Sequence, residues 1–168
     1  MLKLIFKKVN SSPNTKIALY SSMNPIPFSL SIGKYQLMPT TIYSRNLNGE
    51  NFIEFRFDSE NHNLYEISLV AIQNDSVIAR YSCIVEKTEE FYVCNIVEEE
   101  SLLEDKLPIE IERDKTSICI NLLNRNPSEI KYFAIGGNCF IGVNDNFYLV
   151  SIFINKLSEE NIKDIFGY

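Results

Sequence analysis

The sequence predicts a mainly antiparallel β protein of the α+β class, a sandwich or strongly curved sheet with a short C-terminal helix. Three observations carry this reading. Apolar residues recur with period two in several stretches. Polar turns rich in Asn and Asp separate those stretches. One terminal segment switches to helical spacing behind a serine. The chain has 168 residues, 45% hydrophobic and 12% aromatic, which fits one domain spanning 1–168 with a sizeable core.

Residues 2–6, 15–20 and 28–32 read as strands. Asn24-Pro25-Ile26-Pro27 is a turn or an edge break, and Pro39 interrupts the apolar run from Tyr35 to Ser44. The clearest hairpin is 50–73. Ile53, Phe55 and Phe57 alternate with Glu54 and Arg56. Tyr65, Ile67 and Leu69 alternate with Glu66 and Ser68, and Asp58 to Asn63 supplies the loop. Ser76–Glu86 and Glu89–Val97 suggest two more strands joined by a turn at Lys87-Thr88-Glu89. Residues 116–123 place Ile118, Ile120 and Leu122 on one face.

A second hairpin joins Cys139–Val143 to Phe147–Ile154 through Asn144-Asp145-Asn146, residue types that tolerate the positive φ of tight turns. Gly136-Gly137-Asn138 marks the turn before it. Its last strand is apolar on both faces, as expected of a central strand covered on both sides. In the terminal helix Ser158 is the N-cap, and Glu159 and Glu160 sit at the positive end of the dipole. Leu157, Ile162, Ile165 and Phe166 give the buried stripe, and Gly167 ends it. The two hairpins echo each other. Phe57-Asp58 through Leu64-Tyr65-Glu66-Ile67-Ser68-Leu69 resembles Val143-Asn144 through Leu149-Val150-Ser151-Ile152.

Composition excludes several functions. Sixteen basic against 22 acidic residues give a net charge of −6, the wrong sign for a nucleic-acid backbone binder. One histidine, His62, lies in a polar turn between Asn61 and Asn63, which leaves little scope for histidine chemistry. Cys83, Cys94, Cys119 and Cys139 have no zinc-ribbon spacing and sit in strand-like runs, so they read as reduced core thiols. No stretch reaches the roughly 18–20 apolar residues of a membrane helix, and the N-terminus lacks the order of a secretory signal. The sequence therefore predicts a cytoplasmic protein with no membrane and no nucleic-acid partner.

Gly136, Gly137 and Gly142 form neither a dinucleotide fingerprint nor a P-loop. The Asp58–Asn61 loop lacks EF-hand spacing. Glu54 and Glu66 fall across the first hairpin from each other, but Arg56 beside them suggests an ordinary surface ladder. No catalytic residue, cofactor or metal site is expected.

The charge is unevenly distributed. Residues 86–114 hold eleven acidic and three basic side chains, a net of −8, while 1–85 carries +2 and 115–168 is balanced. The acidic stretch, with 98–108 as a loop or short helical insertion, contains Glu98, Glu99, Glu100, Glu104, Asp105, Glu110, Glu112 and Asp114. Leu102, Leu103 and Leu107 lie inside it. Clustered like charge either keeps a surface solvated or speeds association with an oppositely charged protein by about 10–10³-fold. Those eight carboxylates are the expected contacts for a basic partner.

The small acidic domain, the segment Ile53-Glu54-Phe55-Arg56-Phe57-Asp58 with Leu64–Leu69, and the segment Val143–Ile152 with Ser158–Ile162 resemble immunity proteins of bacterial polymorphic-toxin and contact-dependent growth inhibition systems. The resemblance implies a non-enzymatic cytosolic protein that binds a cognate toxin, often a basic nuclease, and blocks its active site. It implies a monomer or weak homodimer when alone. That class spans many folds, so the resemblance assigns no individual residue. The competing readings are a structural or assembly subunit of a phage or secretion system, and a carboxylate-dependent hydrolase.

Overall fold

The structure is a computed structural model and describes residues 1–19, 28–33, 41–72, 77–78, 85, 89–122 and 130–166. Alternating residues become strands with their apolar sides inward. In chain order these are β1 (Leu4–Val9), β2 (Thr15–Leu19), β3 (Phe28–Ile32), β4 (Thr41–Asn48), β5 (Asn51–Asp58), β6 (Leu64–Ala71), β7 (Val77–Ile78) and β8 (Phe91–Ile96). A 3-10 turn (Glu98–Glu100) follows, then β9 (Glu104–Asp105), β10 (Glu110–Arg113), β11 (Ile118–Asn121), β12 (Lys131–Gly136), β13 (Cys139–Val143), β14 (Leu149–Ile154) and helix α1 (Glu159–Phe166). The protein is mostly β with one short C-terminal helix, as the alternation predicts.

A first sheet has the order β2-β3-β6-β5-β4-β9 and a second the order β12-β13-β14-β11-β10-β7; β1 and β8 form a separate pair. The pairings are antiparallel except for the short β4–β9 and β7–β10 contacts. Residues from both large sheets, the β1–β8 pair and α1 share one apolar core that includes Leu4, Leu30, Phe57, Ile67, Ile120, Ile152 and Ile162. Phe6 on β1 stacks on Phe133 of β12 at 4.0 Å between ring centroids, and Tyr92 of β8 meets Phe133 edge-on.

Both predicted hairpins form, and β14 is buried along its whole length in the interior of its sheet. Ser158 caps α1 as expected: its hydroxyl accepts the Asn161 amide (3.0 Å), and Asn161 Oδ1 accepts the Ser158 amide (3.2 Å). Ile162 and Ile165 are buried beneath the helix.

The structure departs from the alternation at Tyr65. Ile67 and Leu69 face the core, but a bulge in the β5–β6 ladder pairs Phe57 with Leu64 and leaves Tyr65 as the extra residue. Leu64 therefore takes the core position, and the Tyr65 hydroxyl bonds Thr41 Oγ1 at 2.6 Å. Residues 91–96 do form a strand, β8, but it pairs with β1, and the described part of the earlier run, β7, pairs with β10; most of Ser76–Glu86 lies outside the described residues. Pairing between the chain's start and its middle depends on contacts far apart in sequence, which periodicity does not encode. Strand β12 and the full length of β4 were not anticipated. The expectations at Asn24–Pro27, 35–39, Cys83, Lys87-Thr88 and Gly167 lie outside the described residues.

The two large sheets share an inner order. Five strands of the first, β2-β3-β6-β5-β4, match β10-β11-β14-β13-β12 of the second, each taken in chain order. Ile67 and Ile152 occupy corresponding central positions and are both 0% exposed. Ile67→Ala and Ile152→Ala are each expected to cost about 2–5 kcal/mol in urea unfolding. A loss below about 1 kcal/mol at either site would show that its sheet does not seal that part of the core.

Candidate docking surface

The acidic segment is held at both ends. After β8 the Val97 amide donates to the Lys3 carbonyl (3.0 Å), and the 3-10 turn projects Glu98, Glu99 and Glu100 into solvent. Ser101 then accepts the Lys3 amide on its hydroxyl (2.9 Å), and the Leu102 amide donates to the Met1 carbonyl (3.2 Å). The Arg45 amide donates to the Leu103 carbonyl at 2.8 Å, which brings Glu104 and Asp105 alongside β4 as β9. Buried Asn46 then clamps Leu107, donating to its carbonyl (3.1 Å) and accepting its amide (2.8 Å). A one-turn 3-10 helix and a two-residue strand thus stand where the sequence suggested a loop or short helix.

The eight candidate residues divide into two groups. Glu98, Glu99, Glu100, Glu104 and Asp105 lie beside the first sheet, whereas Glu110, Glu112 and Asp114 belong to the second. In the first group Lys3 pairs with Glu100, His62 Nε2 lies 3.8 Å from Glu98, and the Met1 amine pairs with Asp105 at 2.8 Å. Lys3 is held above its ordinary range, chiefly by its hydrogen bond to Glu100. Glu99 and Glu104 are exposed. In the second group Glu110 is exposed, whereas Glu112 is 7% exposed and accepts a bond from Asn121 Nδ2 (3.2 Å). Asp114 accepts the Thr116 amide at 2.7 Å as part of a turn. Glu112 is thus buried, and Asp114 is half-buried with one oxygen committed to its turn.

Leu102 lies inside the acidic stretch that the sequence singles out, but Tyr43 and Leu47, which the fold places beside it, carry no such sequence signal. Leu102 is 61% exposed, Leu47 50% and Tyr43 43%. Tyr43, Arg45 and Leu47 alternate on the outer side of β4, and Arg45 is level with Glu104 of β9. Exposure at every second residue of a strand would have been legible only once β4 was known to lie next to the edge of its sheet.

Arg45 also opens an ionic network across the outer side of the first sheet. Its Nε bonds Glu54 (2.9 Å); Arg56 bonds Glu54 (2.9 Å) and Glu66 (3.0 Å). Ser29 and Ser68 donate to the other oxygen of Glu66. Burial works against the Arg56 charge, but the hydrogen bond to Glu54 and the charges of Glu66 and Glu54 hold the guanidinium above its ordinary range. The two carboxylates are thus bridged by the Arg56 guanidinium, which bonds one oxygen of each.

Cys94, Cys119 and Cys139 are buried, and Cys119 Sγ meets Asn121 Oδ1 and Ser151 Oγ. Burial pushes the Cys94 and Cys139 thiols up, away from the nucleophilic thiolate. No cluster of three metal-ligating side chains occurs among the described residues, and no helix there is long and apolar enough to cross a membrane. A cavity of about 150 Å³ beside Asp58, Asn63, Tyr92 and Cys94 is well below the roughly 300–1,000 Å³ of ordinary ligand sites. Asp58 Oδ1 is moreover already committed to the Glu60 and Asn61 amides. No family model matches the chain, and no curated protein matches it.

The ionic network carries the second prediction. Glu54→Gln leaves Arg45 and Arg56 without their shared carboxylate, and both are partly exposed, so water screens part of the effect. The expected loss is about 1–3 kcal/mol in denaturant unfolding, smaller at high salt. A salt-independent change near zero would mean that Glu54 contributes nothing beyond its packing.

Proposed function

We propose that this chain is a non-enzymatic protein-binding module, of the kind that binds and neutralises a basic cognate toxin as an immunity protein. Its two large sheets, which share one core, act as the halves of a β-sandwich that presents the docking segment. One observation supports this above the others. Exposed Glu98, Glu99, Glu100 and Glu104 flank exposed Leu102 and Leu103 along a segment pinned by hydrogen bonds at both ends. An apolar centre within a charged rim is the usual anatomy of a protein interface. A segment ordered before binding loses less conformational entropy when the partner arrives. The acidic rim selects a basic partner and raises the rate of encounter with it. Such inhibition needs no reacting group, only complementary charge and enough area to cover the toxin's site. The Glu54–Arg56–Glu66 network fixes the side-chain geometry of the outer side of the first sheet in this reading.

The test is binding to the purified product of the adjacent reading frame, by stopped-flow and calorimetry. Replacing Glu98, Glu99, Glu100 and Glu104 together by glutamine is expected to slow association by about 10-fold or more, and raising ionic strength should do the same. Tight binding that responds to neither change removes this surface from the interface.

A further inference from the structure

The match between the two large sheets extends below strand order to individual residue pairs. Leu30 stands opposite Ile67, and Ile120 opposite Ile152. Phe55 then pairs with Ile67 as Ile141 pairs with Ile152. Both hairpins skip one residue at the same rung. Phe57 pairs with Leu64 past Tyr65, and Val143 pairs with Leu149 past Val150. Both turns open on an Asx whose Oδ1 accepts two backbone amides, Asp58 in one and Asn144 in the other. Both close on a residue with positive φ, His62 at 61° and Phe147 at 62°. The residue after each forms an isolated bridge to the β1–β8 pair, Asn63 to Asn95 and Tyr148 to Lys3. Packing two sheets together requires a shared inward polarity. It does not require the same bulge, the same left-handed turn residue and the same outgoing bridge.

We infer that the two sheets are tandem copies of one folding unit, and that the outer side of the first copy, centred on Tyr43, seats the basic partner where the chain covers the second copy itself. The second half of this inference rests on the proposed function above. Tyr43, opposite Arg56, corresponds by register to Tyr132, opposite Gly142. Around Tyr132 the second copy carries an apolar cluster of Cys119, Ala134, Phe140 and Phe153. Val85 and Phe91, from the stretch joining the copies, pack against that cluster. The same four positions of the first copy hold Ser29, Arg45, Glu54 and Ser68. Tyr43 remains 43% exposed, with Arg45 and Arg56 flanking its ring at 5.3 and 5.7 Å.

The chemistry of the occupant follows from what surrounds Tyr43. Leu47 on the same side of β4 and Leu102 beyond β9 offer apolar surface. Glu54 and Glu66 already neutralise Arg45 and Arg56, so the unmatched charge is that of Glu104 and Glu99. The fitting partner segment is therefore basic and carries one aromatic or aliphatic anchor. The anchor covers Tyr43 as Val85 and Phe91 cover the second copy, and lysines or arginines reach the acidic turn.

Two synthetic probes of equal charge test this on the full chain: a lysine peptide with a central phenylalanine, and the same peptide with alanine there. Amide NMR shifts are expected to centre on Tyr43, Leu47 and Leu102, with the phenylalanine peptide bound more tightly. Tyr43→Ala and Leu47→Ser are each expected to weaken it by about tenfold, and Glu110→Gln on the second sheet by less than about twofold. Leu47 is half exposed, so its variant keeps the test open if Tyr43→Ala unfolds. Equal affinity for both peptides, or indifference to both substitutions, overturns the Tyr43 seat and leaves the acidic docking segment standing. Failure of both peptides to bind at low salt overturns both readings.

Discussion

The antiparallel pairing of β1 with β8, in register at Leu4 and Ile96, is the constraint on which the rest of this architecture depends. The two large sheets exchange no strand-to-strand bonds among the described residues; each is instead bridged to this central pair. The second sheet attaches at Lys3, through the Leu4 amide to the Phe147 carbonyl and the Leu149 amide to the Leu2 carbonyl. The first attaches at Asn95, through the Ile96 amide to the His62 carbonyl. Two inner faces joined chiefly by apolar contact, which is non-directional, are thereby given a fixed register. The acidic turn inherits its place from the same pair, because Val97 continues the β8 ladder onto Lys3 before the chain turns outward.

Inward and outward positions follow different rules. The inner sides of both sheets are mainly apolar, with Leu30, Phe55 and Ile67 facing the same core as Ile120, Ile141 and Ile152, although Ser44 of β4 stands where β12 has Phe133. A close-packed interior leaves little choice there beyond volume. The outer sides differ: the first carries the Arg45–Glu54–Arg56–Glu66 ionic network, the second an apolar cluster around Phe140 and Phe153 beside a hydrogen-bonded Glu112, Asn121 and Ser151. A half-buried ionic network is a weak source of net stability, because desolvation offsets much of the attraction. Its geometry is nonetheless specific, since Glu54 and Glu66 lock Arg56 and leave Tyr43 framed rather than covered.

The legible and illegible parts of the sequence divide along the same physical line. Hairpins are local, so the Asx turns at Asp58 and Asn144 announce their flanking strands directly. The cap at Ser158 and the two-sided burial of β14 are likewise local signals. Tyr65 was misplaced because a bulge changes side-chain parity without any mark in composition. The partners of β8 and β7 were unreadable because loop closure over long stretches of chain leaves no local pattern. The eight clustered carboxylates looked like one surface in sequence. Folding buries Glu112 against Asn121 on the outer side of the second sheet, sends Glu110 to that same sheet, and keeps the residues from 98 to 105 beside the first.

By itself the sequence determined the β-rich class, the two hairpins, the capped terminal helix and the concentration of negative charge in one stretch. Each of these is set by residues a few positions apart, whose turn preferences and alternation act before any distant contact forms. Only the tertiary structure decided which carboxylates face solvent together, which are bonded internally, and that Tyr43 and Leu47 stand exposed beside them. Those outcomes depend on which strand lies at an edge and what covers it, and that is settled when apolar faces remote in sequence are buried against one another.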